Sequence, residues 1–477
     1  MRRLPAVLLA FVPILLLCFP VAAAGAEPRR TAPASLVSPD SLSYPPLEFE
    51  VPRADRFRLK NGIVVFFLQD REVPIVNIQA FLKAGSLQDP DGREGLAELT
   101  ATVMRTGGIR SLPGREVDER LDYLAAEAGL AAGPQAVTAT LSILKKDIEE
   151  GMAIFAGMLR SPVFEEDRLR LAKELKKEEL QRIADDPQRL AFREFNRFFY
   201  RNSPWGRMSS LASIDAVHRK DLVQWHRRYF SPRNLWIGVS GDITREEAEA
   251  VLDRHFGTWT APEAVGMETP PPAPQRRGIR LVPKETPQSI VIAGYPAPPK
   301  GAPDSPAFEV LDFLLGSGGF FSRIFQEVRT DRGLAYSTGS FYRSRTDHGL
   351  FGSYAFTGTK TAIPVLSLLE KIIGESGKGT FTEKDLKLAQ DSLLNSFLFS
   401  FHSSGQIVRS RLSVEFDGLP ADYLETYRER IRRVTLDDLK RAANRWLDPG
   451  RASILVLGNS REFEGGLEPF GDVSTVP

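Results

Sequence analysis

Short apolar runs and longer stretches of helical periodicity follow one another along most of this chain, and they change over at positions marked by Gly, Pro, Asn and Asp. In the first half, residues 57–68, 75–83, 136–144 and 235–240 alternate in polarity or concentrate β-branched and aromatic side chains, which predicts strands. Between them, residues 94–105, 116–128, 148–159 and 165–183 space apolar side chains three and four positions apart, which predicts helices. The second half repeats the scheme, with strands expected at 279–282, 289–295, 334–342 and 453–457. A Pro-rich segment at 262–275 separates the halves and reads as a linker. Strands mixed with long helices, without regular strand–helix alternation, point to an α+β fold.

The halves also repeat each other at a fixed spacing. Adding 217 to the numbers of Asp221, Leu222, Tyr229, Phe230, Pro232, Gly241 and Asp242 gives Asp438, Leu439, Trp446, Leu447, Pro449, Gly458 and Asn459. The same step carries Phe164, Glu166, Leu169, Leu171 and Ala172 onto Phe381, Glu383, Leu386, Leu388 and Ala389. A step of 211 carries Glu98, Leu99, Gly107 and Gly108 onto Glu309, Val310, Gly318 and Gly319. Segments that recur in one order at nearly one spacing indicate two copies of one domain, expected at 47–261 and 276–465.

Composition narrows the function classes. The 62 basic and 61 acidic residues leave a formal charge of +1, so there is no electrostatic reason to expect nucleic acid as a partner. Arg2 and Arg3, an apolar run and the small residues Ala22, Ala23, Ala24, Gly25 and Ala26 form an export signal over 1–26, with cleavage before Glu27. Pro5 and Pro13 and the shortness of the run argue against a retained membrane helix. The single cysteine, Cys18, lies in that run behind Leu17, where lipidation would need a small residue. After cleavage no cysteine remains, which excludes disulfides, thiol nucleophiles and cysteine metal sites. Residues 27–46 read as a flexible leader. No membrane association is expected after signal cleavage, and the expected location is the periplasm or the medium.

Four stretches carry a family resemblance. The first is Ala84-Gly85-Ser86 with Gly95-Leu96-Ala97 opening a helix; the second is Asp185-Asp186-Pro187 with Ser203-Pro204-Trp205-Gly206-Arg207. The third runs from Ser213-Ile214 through Asp221, Tyr229, Pro232, Asn234 and Gly241-Asp242 to Phe256-Gly257-Thr258-Trp259. The fourth is Arg329-Thr330-Asp331-Arg332-Gly333-Leu334-Ala335-Tyr336-Ser337. Over about residues 50–460 the chain resembles the pitrilysin/insulinase family of zinc peptidases, and by layout its short, two-domain, processing-peptidase-like members. That resemblance implies two homologous α+β domains, each a mostly antiparallel mixed sheet with helices packed on one face, arranged as a clamshell.

It also implies a site that this chain lacks. The family's inverted zincin motif, His-x-x-Glu-His, sets two histidines four apart on one helical face, with a glutamate general base between them. The matching positions are Glu98, Ala101 and Thr102, none of which is the family residue. Glu179 falls where the third, glutamate ligand is expected, but the supporting position seven residues earlier is Ala172; Glu179 alone reads as a solvated residue on a charged helix. No zinc is therefore expected in this chain. His218 and His226, eight apart on one helix, have no acidic cluster nearby and read as packing or surface residues, and His255, His348 and His402 are isolated.

A second catalytic contribution is retained. In the family an arginine and a tyrosine seven residues apart reach the substrate at the metal, and Arg329 and Tyr336 match that pair. A guanidinium and a phenol both donate to a carbonyl as charge develops on its oxygen; spacing alone favours a surface arginine and a half-buried strand tyrosine, and the resemblance of the whole Arg329–Ser337 stretch to the family favours the functional reading. The loop Gly316-Ser317-Gly318-Gly319 lacks the Gly-Lys-Ser/Thr ending of a phosphate loop and reads as a substrate guide or a helix cap. An absent zinc motif beside a retained pair suggests the non-zinc subunit of a two-chain peptidase. Its expected partners are a zinc-bearing homologous subunit and a peptide or unfolded polypeptide substrate. The rivals are a catalytically inactive structural or binding subunit of a larger complex and a free-standing peptidase with an unrecognised site.

Overall fold

The computed structural model describes residues 48–476 apart from 202, 261–271 and 273–276. The expected signal peptide and leader, and the linker apart from Pro272, lie outside the described residues. Residues from Phe49 to the C-terminus form one compact unit. Among the described residues no helix is long and apolar enough to cross a membrane.

Two six-stranded sheets organise the described residues. Strands of the first are β1 Asp55–Arg58, β2 Val64–Gln69, β3 Ile75–Leu82, β4 Glu127–Ala132, β5 Val137–Leu144 and β6 Leu235–Gly241. Those of the second are β7 Gly278–Pro283, β8 Gln288–Ala297, β9 Ala335–Ser344, β10 Gly349–Gly358, β11 Ser453–Gly458 and β12 Val473–Thr475. The orders are β1-β2-β6-β3-β5-β4 and β12-β7-β11-β8-β10-β9. Among the described residues, only β2/β6 in the first sheet and β12/β7 and β7/β11 in the second pair in parallel. Helices α1 Leu96–Thr106, α2 Gly114–Tyr123, α3 Ile148–Arg160, α4 Glu166–Arg182, α5 Pro187–Phe199, α6 Leu211–Asp215, α7 Arg219–Tyr229 and α8 Arg245–Phe256 follow in the first half. The second half holds α9 Ser305–Asp312, α10 Ala362–Ser376, α11 Glu383–Phe397, α12 Ser404–Phe416, α13 Tyr427–Arg432 and α14 Leu436–Trp446.

The repeat read from the sequence is structural. Shifting α4, α5 and α7 by 217 places their first residues on those of α11, α12 and α14. Each half packs most of its helices on one face of its own sheet, around Val65, Ile78 and Ile237 in the first and Val291, Ile454 and Val456 in the second. The opposite face takes one helix from the other half. Helix α5 lies on β11, β8 and β7 of the second sheet, and its shifted counterpart α12 lies on β6 and β2 of the first. Ala191, Phe195 and Phe199, four apart on α5, meet Ile292, Leu455 and Leu457. Val408, Leu412 and Phe416 of α12 meet Val64, Phe66 and Phe81. This exchange explains why the central strands are apolar at consecutive positions rather than at alternate ones, because both faces are covered. Glycine makes room for it: a Cβ on Gly294 would sit 2.3 Å from Phe195, and one on Gly238 would sit 2.5 Å from Val408.

Several expected elements need correction. The run at 57–68 is a hairpin, β1 and β2, because the Leu59 carbonyl accepts from the Gly62 N–H in a turn at Asn61-Gly62. The helix expected at 116–128 ends at Tyr123. Residues from Glu127 instead pair antiparallel with β5 as the edge strand β4. Strand β10 was missed, and the second sheet continues past residue 465 to β12, whose three residues are too short to show alternation.

Candidate functional site

Helix α1 carries the positions where the zinc motif would stand. It starts at Gly95, in the left-handed region at φ +104°, and the buried Asp89 carboxylate accepts from the N–H groups of Gly95 (2.8 Å) and Ala97 (2.9 Å). That carboxylate supplies the acceptor that a glycine N-cap lacks. Arg207 fixes the same loop by donating to the carbonyls of Asp89 and Leu87, each at 2.8 Å.

The side chains on this helix do not make a zinc-ligand set. Ala101 is buried in the first-half core and offers a methyl group. Thr102 turns its hydroxyl back on its own helix and donates to the Glu98 carbonyl at 2.9 Å. Glu98 is occupied by a cation of the protein itself: the Lys176 ammonium of α4 lies 2.7 Å from Glu98 Oε1 and 3.0 Å from Glu179 Oε2. The other oxygen of Glu179 meets Arg189 at 3.1 Å. An ammonium between the two carboxylates repels a divalent ion from the position where both would have to serve it. Among the described residues no group of three or more His, Cys, Asp or Glu side chains could hold a metal ion.

Glu179 thus differs from the solvated residue expected: it is half-exposed, but both of its oxygens are engaged, and Lys176 draws it toward Glu98. Ala172 is a core residue. His218 precedes α7, exposed, with Nδ1 at 2.9 Å from the Ala216 carbonyl. His226 donates from Nε2 to the Leu159 carbonyl at 2.8 Å and stacks on Phe230. Loss of solvation pushes its imidazole down to about 4, so it stays neutral.

The second half brings its two expected residues side by side. Arg329 lies in a widened helical turn, Phe325–Thr330, and the chain reverses through Gly333 at φ +61° so that Tyr336 becomes the second residue of β9. The Arg329 guanidinium carbon sits 4.1 Å from the centre of the Tyr336 ring, 4.7 Å from Phe325 and 5.8 Å from Phe320. Stacking of this kind orients a guanidinium while leaving its N–H edge available. Tyr336 is 79% exposed and Phe320 and Phe321 are each 66% exposed, so the pair lies within an apolar surface patch. The neighbouring Arg332 is taken by Glu327, whereas among the described residues no carboxylate pairs with Arg329. The aromatic residues were missed in the sequence, although two adjacent phenylalanines after Gly318-Gly319 are a visible signal. The glycine loop ends a helix: Gly318 donates to the Phe313 carbonyl, and a Cβ on Gly316 would sit 2.3 Å from the Ser340 nitrogen.

Comparison with known proteins agrees with this layout. Residues 64–210 match the family described as insulinase (peptidase family M16), and residues 216–393 match the peptidase M16 inactive domain. The chain belongs to the insulinase/pitrilysin family. An uncharacterized zinc protease of Rickettsia felis is 21% identical over 412 residues, covering 84% of this chain and 97% of that protein. The non-peptidase homolog YmxG of Helicobacter pylori is 26% identical over 371 residues, covering 76% and 83%. The crystal structure of a peptidase M16 inactive domain from Pseudomonas fluorescens superposes with a TM-score of 0.79 at 24% identity, covering 86% of this chain and 98% of that one, and shows the same fold.

Proposed function

We propose that this chain is the non-zinc subunit of an exported two-chain metallopeptidase. A partner of the same fold supplies the zinc, the general base and the attacking water, and this chain closes the chamber and offers Arg329 and Tyr336 to the scissile carbonyl. The observation that carries this reading is the contrast between the two halves. In the first, the zinc positions are filled by a methyl group, a back-bonded hydroxyl and two carboxylates shared with Lys176. In the second, Arg329 and Tyr336 stand stacked at the surface with no internal partner consuming the guanidinium among the described residues.

The arrangement suits electrostatic catalysis. A phenol O–H and a guanidinium N–H held by stacking need little reorganisation when the carbonyl oxygen gains charge, and each such donor is worth on the order of 10²-fold in rate. The surrounding rings favour an extended, partly apolar peptide. Relatives that carry names as different as zinc protease and non-peptidase homolog are consistent with a family in which only some chains hold the metal. The test is co-expression with a zinc-bearing homologue and assay of the purified pair on unfolded substrate. Loss of turnover with Arg329→Ala and Tyr336→Phe, with the pair still assembled, supports the proposal. Equal turnover in the variants removes the active role, and assembly without proteolysis makes the chain a binding subunit.

A further inference from the structure

The exchanged helices end in two cavities related by the internal repeat, and the two are charged differently. At the end of α12, a cavity of about 480 Å³ is lined by Arg53, Arg56 and Arg411 together with Glu415 and Glu425. Two of its three arginines are matched inside the protein: Arg56 meets Glu415 through two hydrogen bonds of 2.6 and 2.7 Å, and Arg411 pairs with Glu425. At the end of α5, a larger cavity of about 830 Å³ is lined by Arg197, Arg201, Arg207 and Arg280, with Asp91 as its one carboxylate among the described residues.

Local structure accounts for only some of that charge. Arg207 serves the loop before α1 and holds Asp91 at 2.8 Å. Arg201 donates to the Phe198 carbonyl at the C-terminal end of α5, where a cation is favoured. Arg280 belongs to neither task. It projects from β7, beside Ser474 of β12, toward the same Phe198 ring that Arg201 covers, at 6.0 and 4.5 Å. Its Nε is buried without a hydrogen-bond partner. Arg197 is more exposed, and its nearest carboxylate oxygen, on Glu194, is 3.9 Å away. Among the described residues no hydrogen bond or ion pair offsets the charge of the Arg280 guanidinium, and its terminal N–H groups are the ones an oxyanion in the cavity would meet.

We propose that this cavity binds a small polyanion bearing carboxylate or phosphoryl groups, with Arg280 and Arg197 as its principal ligands and Phe198 as an apolar floor. Guanidinium forks match either oxyanion, and several positive charges around one cavity favour a multiply charged ligand. The site uses neither the zinc positions nor Arg329 and Tyr336, so it stands whether or not a zinc-bearing partner exists.

The experiment is calorimetric titration of the signal-cleaved chain at low salt with pyrophosphate in one arm and citrate in the other. At least one anion is expected to bind saturably, about tenfold or more weakly to Arg280→Gln, more weakly also to Arg197→Gln, and unchanged to Arg56→Gln at the equivalent cavity. The arm that binds identifies the phosphoryl or the carboxylate class. Because Arg197 is exposed, its variant reports on binding even if Arg280→Gln fails to fold. No saturable binding in either arm overturns the proposal, as does binding that is equally tight in Arg197→Gln and wild type.

Discussion

Replacing Lys176 with methionine tests whether its ammonium takes the place of a metal between α1 and α4. The Lys176 side chain is 14% exposed and those of Glu98 and Glu179 are 44% and 41% exposed, so the two carboxylates are partly hydrated while the cation between them is largely enclosed. Contacts of 2.7 and 3.0 Å to one nitrogen place the two carboxylate oxygens no more than about 5.7 Å apart. Without the ammonium, two negative charges at that separation repel by about 0.7 kcal/mol in a water-like medium and about 3 kcal/mol at an effective dielectric of 20. Hydration and Arg189 moderate this, and a net loss of about 1 kcal/mol is expected for Lys176→Met. Urea denaturation measures it, and Glu98→Gln supplies a sharper criterion than magnitude. With Lys176 present, Glu98→Gln removes an attraction and destabilises; with Lys176→Met it removes a repulsion and stabilises. The reversed sign should fade in 1 M salt. An effect of Glu98→Gln that keeps one sign in both backgrounds would refute the bridging role.

Other consequences follow from the same geometry. Phe195→Ala, a substitution in the first half, should destabilise the second sheet by about 3–5 kcal/mol, since the ring is buried against it; hydrogen exchange should report the loss in β8 and β11. His226 is held neutral down to about 4, whereas an unfolded chain protonates it near 6.5. Its contribution is therefore full above pH 6.5 and lost as pH falls toward 4, at up to about 1.4 kcal/mol per pH unit. Wild type and His226→Gln should differ in the slope of stability against pH across that window and run parallel above it. Tyr336→Phe keeps the ring under the guanidinium and should shift stability by less than about 0.5 kcal/mol, so any loss of activity in an assembled pair belongs to the phenol oxygen.

What could be read in the sequence depended on how local the signal was. The duplication was legible because Asp221 to Asp242 and Asp438 to Asn459 keep the same helix, short turn and strand at one spacing. Strand β4 was not, because Glu127-Ala-Gly-Leu-Ala-Ala is poor in β-branched side chains and continues the pattern of α2. The helix exchange was hidden for a different reason. The apolar stripe of α5 announces a buried face but not which sheet receives it, and only the doubly apolar strands hint that a second layer exists. At the site, Arg329 and Tyr336 were found through the family resemblance of the continuous stretch Arg329–Ser337, and a turn and the start of a strand bring the two side by side. Lys176 was not, because its contact with Glu98 spans 78 residues and exists only once α1 and α4 pack. The arginine cavity draws on α5, β7 and the loop before α6, so no window of sequence contains it.

The most direct test is metal analysis of the purified chain together with its peptide hydrolysis in the presence and absence of chelator. Zinc far below one equivalent and no chelator-sensitive turnover are expected from the isolated chain. One equivalent of tightly held zinc, with hydrolysis abolished by chelation and restored by the metal, would contradict that expectation.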